Sequence, residues 1–372
     1  MLKRNIHDHL VYRIKLNELR RLVETLNLKI VGEFVQIEPH PFARFYLGKG
    51  KIKEVKKFVN ENDVDVVIFY NILKSSQKLN LIRELRCDVV DRYEVILEIF
   101  DKMASDNVSK LQIELARLQK LAPYLRLAAA TRFSHDRPFF LSMGEYAYHS
   151  QIRELKSRQS RLRKQIEELK IEKKQQIEKR RKAGFPFVCI AGYYNAGKTS
   201  LFNVLTGENK LVTPYPFTTL SSKYQKRYVN SDVTLLFIDT IGFVIDLDPR
   251  LIQSFEINLE DIRASDIVLL LLEANEPILT LKIKLLEGIR LLGDLGASKE
   301  RMIIVFNKID LAKGVENNLE DELDLKRINI PWIAISAKER YNLEGLLNMI
   351  IEKVRSIRDK YDCDLNEIEK EV

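Results

Sequence analysis

A glycine-bearing segment near the middle of the chain lies between an apolar run and a helix-forming stretch. The run Phe187–Ala191 leads directly into Gly192-Tyr-Tyr-Asn-Ala-Gly-Lys198-Thr199, which has the spacing GxxxxGK[ST]. Glycines at these places let successive backbone N–H groups point at one phosphate, and the N-terminus of the following helix adds partial positive charge. The lysine can reach the β- and γ-phosphates and the hydroxyl can face Mg²⁺. The pattern predicts a strand, a P-loop and a helix that bind a nucleoside triphosphate.

A second motif follows about forty residues later at the end of another apolar run. Leu235–Ile238 precedes Asp239-Thr-Ile-Gly242, which reads DxxG. The carboxylate can hold Mg²⁺, usually through water, and the N–H of Gly242 can bond the γ-phosphate. The motif is weak alone, but its place after a P-loop predicts the magnesium and γ-phosphate end of the same site.

A third motif selects the base. The apolar run Met302–Phe306 delivers Asn307-Lys308-Ile-Asp310, and Ser336-Ala-Lys338 follows the next strand-like run. A carboxylate at Asp310 can accept hydrogen bonds from the N1–H and amino group of guanine, neither of which adenine offers. A site built to bond one partner rejects its analogue by about 10⁴-fold. The sequence therefore predicts GTP rather than ATP.

The segment Pro214–Leu220, which is broken by prolines and has no periodicity, lies between the first two motifs. We expect a switch loop there, in which Thr219 rather than Thr218 completes the Mg²⁺ shell and senses the γ-phosphate. The predicted catalytic residues are Lys198, Thr219 and Gly242, and the predicted metal ligands are Thr199, Thr219 and Asp239. The predicted nucleotide-binding residues are Gly192, Tyr193, Tyr194, Asn195, Ala196, Gly197, Lys198, Thr199, Ser200, Phe217, Thr218, Thr219, Asp239, Thr240, Ile241, Gly242, Asn307, Lys308, Asp310, Ser336, Ala337 and Lys338.

The first hundred residues alternate short β-branched runs with amphipathic ones, which predicts a small α/β domain with a parallel sheet. The predicted strands are Val11–Ile14, Ile30–Gln36, Val64–Phe69 and Cys87–Val90, and the predicted helices are Leu16–Leu26, Ile52–Asn60, Ser75–Leu85 and Tyr93–Lys102. Gly48-Lys-Gly-Lys51 resembles a phosphate loop, but no GK[ST] follows it, so a plain strand-to-helix turn is the favoured interpretation.

Apolar positions spaced by three and four then predict two long helices that fold back as an antiparallel hairpin, joined by a loop of about twenty residues. Residues 151–182 contain thirteen Lys or Arg against five Glu, a surplus equal to the whole chain's net charge of +8. This segment either meets an anionic partner such as nucleic acid or forms a solvated helix face. The tip, Thr131–His149, mixes aromatic and basic residues, and either binds RNA or packs on its own helices.

Length and composition limit the remaining choices. With 372 residues, we expect an α/β domain over 1–104, the hairpin over 105–182, a Ras-like G domain over 183–355 and a tail over 356–372. The content of 45% apolar and 31% charged residues excludes large-scale disorder. Three cysteines without a CxxC pair fit a reducing, cytoplasmic protein, which we expect to be a monomer. No apolar run reaches the ~18 residues of a membrane span.

Together these elements resemble the HflX family of ribosome-associated GTPases over nearly the whole chain. The resemblance is carried by Tyr46–Lys51, Val90–Arg92, Ile96–Phe100, Lys110–Ala116 and the three nucleotide motifs. It implies a Mg²⁺-dependent GTPase that binds the large ribosomal subunit and acts in ribosome rescue, splitting or assembly. Tyr194 stands where the family usually has threonine, and the family's glycine-rich loop is reduced here to Gly144-Glu145. The reduced loop bears on ribosome splitting, whereas ribosome binding stays the expectation.

Two residues bear on how fast such a site would work. Phe243 follows the DxxG glycine, where many small GTPases have a glutamine that orients water, so we expect slow intrinsic hydrolysis completed by a partner. Asn195 resembles the asparagine that holds K⁺ in some GTPases, and equal rates in KCl and NaCl would remove that idea. The main alternative is a GTP-gated adaptor for a protein or membrane surface. A weaker one is an ATP-hydrolysing role of the N-terminal domain on RNA.

Overall fold

The computed structural model describes residues 1–3, 10–133, 143–208, 222–229, 233–312 and 318–371, and side chains outside 129–149 and 358–372. These residues form two compact units. Unit 1 contains Met1–Leu169 and the short segment Asp248–Ser254, and unit 2 contains Lys170–Leu247 and Phe255–Val372. None of the described helices combines the length and apolar character needed to cross a membrane.

Unit 1 holds two small parallel sheets and a long helical region. Its elements in chain order are β1 (Leu2–Lys3), α1 (Val11–Thr25), β2 (Gln36–Ile37), α2 (Lys49–Glu61), β3 (Val66–Phe69), α3 (Ser75–Leu85), β4 (Asp88–Asp91), α4 (Arg92–Met103), α5 (Asn107–Phe133) and α6 (Met143–Arg181), whose last turns belong to unit 2. Strand β1 pairs with β2 and β3 pairs with β4.

Two of the strands predicted in unit 1 are wrong. Val11–Ile14 forms the first turn of α1, because the apolar spacing continues through the buried Leu19, Leu22 and Val23 on one helix face. From Ile30 to Gln36 only Gln36 enters a strand, and Ile30 and Val31 are 36% and 50% exposed. The last two predicted strands and all four predicted helices match the observed elements. Their ends agree within two residues, except that α1 begins five residues and α2 three residues earlier than predicted.

The segment that resembles a phosphate loop starts a helix, as expected, but no strand leads directly into it, since β2 ends at Ile37 and α2 begins at Lys49. Gly48 is the N-cap of α2, and its N–H donates to the Gln36 side chain at 2.9 Å. The lysines that follow it therefore begin a helix.

Buried charges join the helices of unit 1. Arg92 donates to Glu18 at 3.0 Å, and both side chains are no more than 5% exposed. Asp91 caps α4 by accepting from the N–H of Glu94 at 3.2 Å, and it also accepts from Lys120 on α5. These contacts connect α1, α4 and α5, of which α1 is far from the other two in the sequence.

The connection between the two helices of the hairpin is shorter than predicted. Helix α5 runs to Phe133 and α6 already begins at Met143, so the connection is about half as long as the twenty residues expected. An ion pair between Glu114 and Arg158 joins the two helices. Most of the predicted aromatic tip lies outside the described residues or side chains, so its use stays a prediction.

Unit 2 is built around a six-stranded sheet with the order β10-β9-β8-β5-β7-β6, in which β6 alone is antiparallel to its neighbour. Its elements are β5 (Phe187–Gly192), α7 (Lys198–Thr206), β6 (Lys223–Tyr228), β7 (Thr234–Asp239), α9 (Glu256–Ala264), β8 (Ile267–Glu273), α10 (Ile278–Asp294), β9 (Met302–Asn307), α11 (Leu319–Glu322), α12 (Leu325–Ile328), β10 (Trp332–Ala334) and α13 (Leu343–Glu371), and α8 (Pro249–Ser254) belongs to unit 1. Residues Ile267–Leu272 of the central strand β8 are 0% exposed. Such continuous apolar runs are typical of parallel strands covered on both faces.

The last turns of the basic helix α6, which belong to unit 2, are held by contacts within that unit. Lys173 contacts Asp261 at 2.7 Å, the Arg180 guanidinium lies 3.8 Å from the centre of the Tyr224 ring, and Lys170 pairs with Glu256 at 2.8 Å. Part of the basic surplus therefore anchors this helix within the molecule, a use that neither interpretation of the segment included.

Candidate nucleotide site

The first predicted loop leaves the central strand β5 and enters α7 with the backbone geometry that its glycines allow. Gly192 and Gly197 have φ of +140° and +90°. A Cβ at Gly192 would lie 2.3 Å from the carbonyl oxygen of Leu271, and one at Gly197 would lie 2.3 Å from the Asn307 side chain. Both positions therefore exclude any larger residue, because a side chain would collide with neighbouring strands.

Lys198 lies at the first position of α7 and is buried. Its Nζ donates to the carbonyl of Tyr193 at 2.8 Å, across the loop. The pKa of Lys198 is lowered to about 8, mainly by burial; Asp239 opposes this shift and the nearby ammonium of Lys284 adds to it. An anionic phosphate at this lysine would raise its pKa again.

The two predicted metal ligands that the structure describes lie side by side. Thr199 Oγ1 donates to Asp239 Oδ2 at 2.9 Å, although they are forty residues apart. Hydroxyl and carboxylate oxygens are the ligands that Mg²⁺ prefers, completed by water and substrate phosphates. The donor set therefore fits the predicted ion. The third predicted ligand, Thr219, lies outside the described residues, together with Phe217 and Thr218.

Backbone bonds join the P-loop to the DxxG motif. The Phe243 N–H donates to the Gly192 carbonyl at 2.9 Å, and the Tyr194 N–H donates to the Phe243 carbonyl at 3.0 Å. A Cβ on Gly242 would lie 3.2 Å from Lys198 Nζ. The glycine of DxxG thus lies against the P-loop lysine, as a shared γ-phosphate site requires.

The base-recognition residues are held by one another. Asn307 donates to the Ala196 carbonyl at 2.8 Å and accepts from the Ala337 N–H at 3.0 Å, so a single amide joins the P-loop to the third motif. Ser336 Oγ donates to Asp310 Oδ1 at 2.6 Å, which orients that carboxylate.

The lysine of the third motif is fixed as well. Lys308 has φ of +66° and pairs with Glu273 at 2.9 Å. Lys338, by contrast, is exposed. The remaining predicted residues of this site occupy the same loops, among which Thr240 donates to the Ile190 carbonyl at 2.9 Å and Asn195 is exposed with φ of +62°.

Two residues beside the site were not predicted. Glu276 lies in the turn after β8, and Lys284 lies on α10 against the ring of Tyr193. Lys284 shares the helix face of the buried Leu281, Leu285 and Gly288. A lysine in the middle of an apolar helical stripe is the sequence signal that could have identified it.

Family models match three successive parts of the chain. Residues 13–101 match "GTP-binding GTPase N-terminal", residues 103–180 match "GTP-binding GTPase Middle Region", and residues 187–308 match "50S ribosome-binding GTPase". The limits expected for the first two parts are close to these ranges, whereas the expected G domain extends to residue 355, beyond the match that ends at 308. The subdivision itself stays a prediction.

Relatives and a solved structure extend the likeness over most of the chain. GTPase HflX of Thermofilum pendens is 35% identical over 91% of this chain and 79% of its own length. GTPase HflX of Thermococcus kodakarensis is 37% identical over 87% of this chain and 71% of its own length. The structure of SsGBP with GDP is 27% identical, has a TM-score of 0.51 and covers 96% of this chain and 97% of that one. The chain belongs to the HflX family of P-loop GTPases.

Proposed function

We propose that this chain hydrolyses GTP with Mg²⁺ and uses the nucleotide state to control binding to the large ribosomal subunit or its RNA. The observation that carries the nucleotide part is the meeting of three motifs at one edge of a sheet: Lys198, the Thr199–Asp239 pair, and Asp310 with Ser336. The ribosomal part is supported by the family and by the basic helix α6.

Each residue has a role that follows from its chemistry. Lys198 would leave the Tyr193 carbonyl for the β- and γ-phosphates, and the N–H of Gly242 would bond a γ-phosphate oxygen. Mg²⁺ bound at Thr199 and Asp239 would neutralise charge on the phosphates. Hydrolysis then depends on positioning water in line and on charge neutralisation, without a covalent intermediate.

Base selection rests on Asp310. Its carboxylate, oriented by Ser336, would accept from the N1–H and amino group of guanine, and the backbone at Ala337 and Lys338 would contact the guanine oxygen. An adenine in the same place would leave a desolvated carboxylate unbonded.

Slow turnover in the absence of a partner follows from Phe243. Its ring is 1% exposed and offers no group that could orient water. A partner would therefore complete the site, and the family points to the ribosome. We extend to Asn195 the proposal of a bound K⁺, which equal GTPase rates in KCl and NaCl would contradict.

The test is cosedimentation and GTPase stimulation with separated ribosomal subunits. We expect the chain to sediment with large subunits in a nonhydrolysable GTP analogue more than in GDP, with salt-sensitive binding and faster hydrolysis. Lys198→Ala should abolish the nucleotide dependence. Equal sedimentation in both nucleotides would contradict the proposed nucleotide control. An outcome with neither sedimentation with large subunits nor stimulation by them would favour the GTP-gated adaptor instead.

A further inference from the structure

A buried ion pair lies beside the P-loop without belonging to any nucleotide motif. Lys284 on α10 contacts Glu276 Oε1 at 2.5 Å, and the two side chains are only 8% and 11% exposed. The second oxygen, Glu276 Oε2, is buried and has no hydrogen-bond partner among the described residues. An apolar pair of similar volume would be at least as stable here, because both charges have lost their water. Stability alone therefore gives no reason for this pair.

The pair touches the nucleotide loop through one aromatic ring. Lys284 Nζ lies 5.3 Å from the centre of the Tyr193 ring, within the range of a cation–π contact. Gly288, one turn further along α10, lies beside the same ring: a Cβ there would lie 3.6 Å from Tyr193 Cε2, an ordinary van der Waals distance, and 3.0 Å from Leu270 Cδ1. Tyr193 itself is 2% exposed.

The same ring reaches the switch side of the site. Tyr193 and Phe243 form an edge-to-face pair with centroids 6.2 Å apart, next to the backbone bonds between the two segments. The Tyr193 carbonyl also holds Lys198. The ring of Tyr193 is therefore in contact with α10 on one side and with the residue after Gly242 on the other.

We propose that Lys284, held by Glu276, is a positioning residue for GTP hydrolysis: it fixes the Tyr193 ring, and through that ring the P-loop and Phe243. With the ring fixed, Lys198 and the N–H of Gly242 keep their places toward the γ-phosphate, and Phe243 stays packed away from the attacking water. The inference rests on hydrolysis by this site and is independent of the ribosome.

The experiment removes both charges together, since a single substitution would leave the other charge buried. We expect Glu276→Leu with Lys284→Met to fold with an unchanged melting temperature and to bind GDP within about twofold of the original protein. Its single-turnover GTP hydrolysis without ribosomes should fall about tenfold, because misplacement by a fraction of an ångström is enough for such a loss. Lys284→Arg should retain most of the rate, because a guanidinium keeps both the charge and the contact with the ring.

Two further variants complete the test. Lys282→Met, on the same helix but paired with Asp324 at an exposed position, should leave the rate unchanged. In a Tyr193→Leu background, removing the pair should cause no further loss. Unchanged hydrolysis in the double variant would overturn the proposal, as would an equal fall of GDP affinity and rate, or additive losses with Tyr193→Leu. Hydrolysis is measured without ribosomes, so a failure of the ribosomal proposal would remain distinguishable.

Discussion

The two units of the molecule differ in the internal packing of their sheets. In unit 2 the central strands are wholly apolar, and β8 has no exposure from Ile267 to Leu272. In unit 1 the residues Val66–Ile68 of β3 are only half-buried, and a cavity of about 600 Å³ borders β3 and β4. Unit 1 has an apolar core that includes Leu81 and Leu85, and it also contains the charged contacts of Arg92 with Glu18 and of Asp91 with Lys120.

The polar groups of the two units have different roles. Apolar packing positions the strands of unit 2, which leaves the residues at the strand ends for the nucleotide. In unit 1 buried charged groups such as Arg92 and Glu18 are engaged with each other. Substitutions of polar residues at the nucleotide edge of unit 2 should therefore impair chemistry, and substitutions in the buried pairs of unit 1 should impair stability.

The largest effect should come from the base-recognition carboxylate. We expect Asp310→Asn to weaken GDP binding about 10³-fold or more, because the amide cannot replace a carboxylate that accepts two hydrogen bonds. Xanthosine diphosphate should gain affinity, since its oxygen at the 2-position can accept from the new amide. Fluorescent GDP and XDP analogues would measure both changes, with the melting temperature of the nucleotide-free protein as control. A loss of GDP affinity below tenfold would contradict the assignment.

The buried pair of unit 1 should come next. Arg92→Met alone should destabilise unit 1 by about 3–5 kcal/mol, because Glu18 would remain buried without its partner. Arg92→Met with Glu18→Leu should recover most of that loss. Hydrogen exchange of the α1 and α4 amides in the full chain is the measurement. The exposed pair Arg20–Glu33 supplies the control, since Arg20→Met should change stability by about 1 kcal/mol at most. A double variant as unstable as the single one would refute the pairing.

A smaller effect is expected at the last turns of the basic helix, within unit 2. Lys173→Met removes an ion pair with Asp261, whose side chain is 1% exposed. In the variant Asp261 would still accept a hydrogen bond from the hydroxyl of Tyr224, which lies at 2.7 Å. We expect a loss of about 1.5–3 kcal/mol, the usual range for a hydrogen bond to a charged group. Thermal unfolding with GDP bound would measure it. Lys174→Met, at an exposed neighbouring position, is the matched control, and equal destabilisation by both would contradict the anchoring role.

The smallest predicted effect is a pH dependence. The pKa of Lys198 is lowered to about 8 in the nucleotide-free protein. Between pH 8 and the ordinary pKa of a lysine, the folded protein therefore binds fewer protons at this residue than the unfolded chain does. In that range this residue makes the free energy of unfolding rise with pH. Nucleotide phosphates favour the ammonium, so GTP binding takes up a proton above pH 8. Affinity should be level below pH 8 and fall by up to about tenfold per unit above it. Calorimetry in buffers of different ionisation enthalpy would detect the proton, and a flat profile to pH 9.5 would exclude the effect.

The N-terminal strands show where prediction from sequence fails. Val11–Ile14 has the β-branched residues of a strand, but the following residues continue one helix face, and the longer pattern decides. Ile30–Val35 is apolar enough for a strand, but pairing needs a partner that local sequence does not reveal. The strands of unit 2 that lead into the nucleotide motifs were predictable, because each apolar run ends in residues with a distinct chemistry. The charged strand β6 was not predicted.

The sequence by itself determined the nucleotide motifs and their order, because a P-loop, DxxG and NKxD depend on glycine freedom and side-chain chemistry within a few residues. Only the tertiary structure decided which charges are buried and paired. The local sequence does not indicate which residue pairs with which in three buried ion pairs: Lys284 with Glu276 beside Tyr193, Lys173 with Asp261, and Arg92 with Glu18. Burial and pairing depend on what other parts of the chain bring near, and that is a property of the folded molecule.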